Sequence, residues 1–157
     1  YHPRIEAVGT LDETTAALGL ARALSHSPQV NVILVQTQRD LYGLMAEVAA
    51  TPENAERFRS IDASRVEWLE AQTDSLSETV EMPAEFILPG ETPSGGALSL
   101  ARTVVRRAER RVAELLADGK LENRKLLHYL NRLSSLCFVL ELVENQFDGK
   151  ETLKAKE

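Results

Sequence analysis

The sequence predicts an all-α protein, an antiparallel bundle of five helices. Three observations predict it. Apolar residues recur at helical spacing in five segments, and no stretch alternates as a strand would. Proline, glycine, serine and aspartate punctuate those segments as helix ends do. The 157 residues suit one domain, large enough to bury a core without disulfides. Long helices on mostly short links imply up-down packing of the ferritin-like kind.

The first helix is expected from about Asp12 to Ser25, after Gly9-Thr10, with Leu11, Ala17, Leu18, Ala21 and Leu24 on its apolar face and Pro28 marking its exit. The second is expected from about Val30 to Ala50, where Val30, Ile33, Leu34, Thr37, Leu41, Leu44, Met45 and Val48 trace a buried stripe. Thr51-Pro52 ends it, and residues 51–60 read as a polar connection. The third runs from about Asp62 to Thr79, with Val66, Leu69, Thr73, Leu76 and Val80 on one side. Residues 82–96, MPAEFILPGETPSGG, form a long ordered loop of the kind that often carries function. The fourth helix starts at Pro93 or Ser94, since proline suits a first turn, and stops at Ala117 before Asp118-Gly119. The fifth spans about Glu122 to Phe147 through Leu126, Leu130, Leu133, Cys137 and Leu140. DGKETLKAKE reads as a frayed polar tail, so the bundle domain is expected over residues 1–150 and the tail over 151–157.

Composition excludes several classes of function. Eighteen basic and 24 acidic residues give a net charge of −6, so nucleic acid is not an expected partner. No apolar run approaches the ~20 residues of a membrane span, and YHPRIEAVGT lacks the apolar segment of a signal peptide. The chain starts without Met, as a piece of a longer product would. Cys137 is the only cysteine, which rules out an internal disulfide and a multi-thiolate zinc site and fits a reducing, cytoplasmic setting. His2, His26 and His128 are scattered, and no Glu-x-x-His or H-E-x-x-H occurs, so no metal site is expected. Nor does any serine or cysteine sit in a nucleophile elbow.

The fourth helix concentrates the chemistry. Arg102, Arg106, Arg107, Arg110 and Arg111 fall on it, in a chain otherwise acidic. At roughly 100° per residue, Arg102, Arg106 and Glu109 share one arc beside the apolar stripe, while Arg107 and Arg111 lie at its far edge. Guanidinium groups at a core edge suit polyphosphate, because each donates paired hydrogen bonds to anionic oxygens. Composition alone favours the plainer reading, a solvated face with i,i+4 ion pairs. Asp12, in GTLDETT, reads first as a carboxylate at a helix N-terminus. Asn131, in YLNRLSS, sits beside leucines and must find hydrogen-bond partners; it either holds a ligand or caps a neighbouring loop. Phe86, which opens FILPG, either packs on a planar ligand or anchors its loop. GETPSGG precedes a helix and offers N–H groups to an anion, although the G-x-x-x-x-G-K-[ST] pattern is absent.

Taken together, PRIEAVGTLDE, FILPG, LARTVVRRAERRV and YLNRLSSLCF resemble, in this order and over roughly residues 3–140, the PduO-type ATP:cob(I)alamin adenosyltransferases. The resemblance implies homotrimers with active sites between subunits. It implies transfer of the 5′-deoxyadenosyl group of ATP to the cobalt of cob(I)alamin, with Mg²⁺ on the triphosphate and a cobalamin-dependent enzyme as acceptor of the product. Arg106 matches the arginine that contacts the ATP phosphates. Arg102 matches one that pairs across the subunit boundary with the carboxylate numbered Asp12 here. Glu109 and Asn131 match positions lining the nucleotide site. Phe86 matches the aromatic that excludes the lower ligand of cobalamin, leaving a four-coordinate Co(II) that is easier to reduce.

The sequence departs from the family pattern in three places. The Thr/Gly-rich ATP loop of the family is not among these residues. Glu91 stands where the family has a second glycine, and Ser135 where it commonly has aspartate. The Ser135 change admits a divergent member with lower activity. A second reading is a non-catalytic trimeric helical scaffold or corrinoid-binding relative. A plain structural bundle with a solvated arginine helix is the third reading.

Overall fold

The computed structural model describes residues 2–157; Tyr1, part of the expected domain, lies outside the described residues. Five α-helices make up the described chain: α1 (Pro3–Leu24), α2 (Pro28–Ala49), α3 (Ala63–Ser77), α4 (Pro93–Ala117) and α5 (Lys125–Phe147), with one 3₁₀ turn over Ala55–Phe58 between α2 and α3. Three helices begin with the same device, a side-chain cap followed by proline at the first helical position. The caps are His2, Ser27 and Thr92, whose side chains accept the N–H groups of Arg4, Val30 and Gly95. Asp62 caps α3 by accepting from the Arg65 N–H.

α4 packs along α1 on one side and α5 on the other; α2 lies against α1, and α3 against α5. Leu11, Leu18, Leu34, Leu44, Leu69, Leu98, Val105, Val112, Leu130 and Leu133 are fully buried between them. α2, α3 and α5 also share a polar contact: Asp40 receives the Arg65 guanidinium at 2.7 Å and the Tyr129 hydroxyl at 2.8 Å. A buried carboxylate needs such donors to remain charged. Arg4 ties the opposite end, donating to the carbonyls of Val48 and Ala50 at the end of α2 and of Lys120 beyond α4.

Four sequence expectations are corrected. α1 starts at Pro3, not near Asp12. Gly9 is exposed and accommodated within the helix, because Ala7 and Leu11 on either side of it are buried. Asp12 therefore lies in the helix interior, beyond the reach of the N-terminal dipole, and Glu6 is the acid of the first turn. The tail is not frayed. Its backbone pairs with the α3–α4 loop through an antiparallel bridge between Ile87 and Lys154, with Leu88 N–H donating to Leu153 C=O and Ala155 N–H to Phe86 C=O, both at 2.8 Å. Finally, α5 is long and apolar enough to cross a membrane by length and composition. Most of it is buried within the bundle, which is the position of a core helix.

The fourth correction concerns the N-terminus of α4. Its N–H groups are not offered to an external anion. Thr92 Oγ1 accepts from Gly95 N–H at 2.9 Å and donates to Asn145 Oδ1 at 2.9 Å. Glu144, fully buried, receives the hydroxyls of Ser25 and Ser94 there. A side chain at Gly95 would meet Asn145 Oδ1 at 2.5 Å, so glycine is what allows α5 to approach this closely.

Candidate functional site

The arginines of α4 divide as their spacing predicts. Arg107 pairs with Glu13 of α1, and Arg111 lies 3.9 Å from Glu6 of α1 and 3.5 Å from Glu114. These are partly solvated links between α1 and α4, in accord with the plainer reading. Arg102 and Arg106 turn the other way, toward α5 and the α3–α4 loop.

Arg106, Glu109 and Asn131 come together across the α4–α5 seam. Arg106 Nη1 stands 3.7 Å from Glu109 Oε2, and Asn131 Nδ2 donates to Glu109 Oε1 at 2.9 Å. Arg132 donates to Asn131 Oδ1 at 2.7 Å and to Glu70 of α3 at 2.8 Å. Asn131 thus holds a side chain of α4 rather than capping a loop. The Arg106 side chain remains 51% exposed while Glu109 is only 18% exposed. The carboxylate is fixed from below, and the guanidinium keeps N–H groups facing outward.

Beside this group a cavity of about 710 Å³ opens between the α3–α4 loop and the facing sides of α4 and α5. Phe86, Met82 and Pro83 of the loop form one wall, and Phe138 and Val139 of α5 form part of the other. Arg102, Arg106, Glu141 and the loop's Glu85 are the charged residues that line it. A mostly apolar cavity with a few convergent polar groups is the usual form of a small-molecule site. Phe86 is 89% exposed, so it does not anchor its loop to the core. The tail backbone fixes the loop instead.

Asp12 stands apart. It is exposed on α1, and among the described residues no hydrogen bond or ion pair joins it to Arg102 or to any other group. Ser135 lines the cavity at the position where the related motif commonly carries an acid.

Sequence reasoning missed Glu141. It is 1% exposed, and its Oε2 has no hydrogen-bond partner. Burial pushes its carboxyl up to about 7, against the pull of the nearby Arg102 guanidinium. The signal was a glutamate four residues after buried Cys137, inside the apolar stripe of α5. Burial also pushes the Cys137 thiol up to about 12, so it is inert packing.

A profile of the family described as cobalamin adenosyltransferase matches residues 1–144. The chain belongs to that family. Among its curated relatives, the corrinoid adenosyltransferase PduO of Citrobacter freundii is 39% identical over 145 residues, which are 92% of this chain and 43% of that protein. This member of the family therefore spans less than half the length of that relative. The corrinoid adenosyltransferase of Bacillus subtilis is 34% identical over 93% of this chain and 76% of its own length. A variant PduO-type ATP:corrinoid adenosyltransferase of Lactobacillus reuteri, solved with cobalamin and ATP, superposes with a TM-score of 0.89. It is 29% identical, and the match covers all of this chain and 88% of that one. Another variant of the Lactobacillus reuteri enzyme, complexed with ATP, gives a TM-score of 0.91 at 27% identity, over 99% of this chain and 89% of that one. The five-helix fold of this cobalamin adenosyltransferase family member is thus shared along essentially its whole length.

Proposed function

We propose that this chain transfers the 5′-deoxyadenosyl group of ATP to the cobalt of a reduced corrinoid, releasing triphosphate. One observation carries the reading. The outward-facing guanidinium of Arg106, set by Glu109 and Asn131, stands at the edge of an apolar cavity walled by Phe86. An anionic tail and a large planar ligand are thereby offered adjoining places. Family membership and the likeness to enzymes solved with ATP and cobalamin support it.

In this reading Co(I) is the nucleophile. Its electron pair forms the cobalt–carbon bond at C5′, the C5′–oxygen bond breaks, and triphosphate departs with the electron pair of that C–O bond. The protein needs no nucleophile of its own, in keeping with the inert Cys137. Arg106 contacts the phosphates and stabilises the charge that grows on the leaving oxygen, as preorganised donors do in a site shielded from water. Glu109 and Asn131 line the nucleotide place and orient Arg106. Phe86 covers the lower face of the corrinoid, displaces the axial base and so favours reduction of Co(II).

Arg102 and Asp12 belong to the same reading through a second copy of the chain. In a homotrimer with sites between subunits, Asp12 of one protomer pairs with Arg102 of its neighbour. The exposure of Asp12 without a partner in its own chain supports this, as do the exposed apolar side chains Phe86, Leu88 and Leu100. Among the described residues no three His, Cys, Asp or Glu side chains are placed to hold a metal ion. Mg²⁺, which the family resemblance implies, would arrive on the triphosphate. We place the protein in the cytoplasm, handing its product to a cobalamin-dependent enzyme.

The test is an assay with ATP and chemically reduced cobalamin, alongside native mass measurement. Formation of adenosylcobalamin by a trimer supports the proposal. Corrinoid binding without product would favour the non-catalytic relative. A monomer would remove the intersubunit site.

A further inference from the structure

We propose that Glu141 is a specificity residue: its unpartnered carboxyl oxygen accepts a hydrogen bond from a carboxamide N–H on the rim of the corrinoid, and so selects amidated corrinoids over those bearing a carboxylic acid at that place. The inference rests on the reading of the cavity as the corrinoid's seat.

The argument starts from an unmet bond. Glu141 Oε2 is buried without a donor, although the residue lines the cavity. Native structures rarely leave such a group unmet without a reason. The other charged groups facing the cavity are Arg102 and Arg106 of α4 and Glu85 of the loop. Neither arginine lies within ion-pair distance of Glu141, although the Arg102 guanidinium acts on it from farther away. Arg106 is engaged with Glu109. The hydroxyls that line the cavity, on Thr73, Ser77, Ser99, Ser134 and Ser135, give no hydrogen bond to Glu141 Oε2.

A corrinoid matches this arrangement. Its ring is planar and broad, and its edge carries primary carboxamides, whose NH₂ groups donate. An ionised carboxylate only accepts, so an amide completes Glu141 where a second carboxylate would repel it. Selection of this kind is strong, because the mismatched ligand leaves a buried polar group unpaired.

The experiment compares dissociation constants by titration calorimetry at about pH 8, where Glu141 is mostly ionised. The probes are cobalamin and its separated monocarboxylic acids, from mild hydrolysis of the side-chain amides. The parent should bind at least one acid about tenfold more weakly than cobalamin. In Glu141→Gln the amide oxygen still accepts while the charge is gone. It should bind cobalamin within about threefold of the parent, the neutral amide being the weaker acceptor, and reduce that discrimination to about threefold or less. Glu141→Leu should weaken cobalamin itself by about tenfold. Equal binding of acids and cobalamin by the parent would overturn the proposal, and so would discrimination unchanged in Glu141→Gln. Phe86→Ala separates this failure from that of the underlying reading. If it weakens cobalamin while the Glu141 variants change nothing, the cavity holds the corrinoid and the proposal for Glu141 falls. If none of these variants alters binding, both fall.

Discussion

Asn131 of α5 donates its amide N–H to Glu109 Oε1 of α4 at 2.9 Å, while Arg106 is nearest to the other oxygen, Oε2. The arginine stands 3.7 Å from that oxygen, longer than a hydrogen bond, with the carboxylate already committed to Asn131. Replacing Asn131 with alanine should let Glu109 and Arg106 collapse into a tight pair and draw the guanidinium off the phosphates. The expected result is a KM for ATP raised about tenfold, with a urea midpoint close to the parent's because the pair is partly solvated. Steady-state kinetics beside urea titration checks it.

Arg106→Ala removes the proposed phosphate donor itself. Loss of one preorganised donor at a charge-developing site typically costs 10²–10³ in rate, and kcat should fall by about that factor. The side chain is half exposed, so stability should change by no more than ~0.5 kcal/mol. Turnover at the parent rate would remove Arg106 from the mechanism.

Phe86→Ala should slow the reaction begun from Co(II) more than that begun from pre-reduced Co(I). Phe86 acts in this reading on cobalt coordination before reduction, and its exposure leaves little for the fold to lose. Equal slowing of both would assign Phe86 to binding alone.

Arg102→Ala should weaken the trimer or the site. Arg102→Asp combined with Asp12→Arg should recover part of what either change loses alone. Sedimentation and activity across this double-mutant cycle measure the coupling. Additive losses would show that the two residues do not meet.

Glu141 should make stability depend on pH. Its folded carboxyl is raised from 4.5 to about 7. Between those values the unfolded chain has released a proton that the folded chain retains, so stability falls as pH rises through the window. Below about pH 4.5 both states are protonated and the penalty is absent; above about pH 7 it is fully present. Glu141→Gln abolishes the titration. Its stability relative to the parent should therefore rise between about pH 4.5 and 8, by an amount on the order of 2–3 kcal/mol. Urea titrations at fixed protein concentration would show it; a pH-independent difference would contradict it.

The helix punctuation was readable wherever local chemistry decides it. Pro93 and Asp118-Gly119 bound α4 in the sequence as in the structure, and Gly119 takes φ of +68° where the helix stops. The start of α1 was misread because Gly9 resembles a break when only neighbours along the chain are weighed. Packing of Ala7 and Leu11 against the bundle outweighs that preference. The grouping of Arg106 with Glu109 was legible from helical spacing, and that with Asn131 only through the family resemblance. The tail's position was not legible, because it rests on main-chain hydrogen bonds, which any residues can make. Glu141 escaped notice for another reason. A lone acid in an apolar stripe reads as the stripe's edge until its surroundings are known.

The pairing of Leu88 with Leu153 and of Phe86 with Ala155 joins segments far apart along the chain. Their amides cannot exchange with solvent independently, since each is shielded only while both segments are in place. Deuterium uptake at Leu88 and Ala155 should follow one common time course, and ligand bound over Phe86 would slow the second amide along with the first.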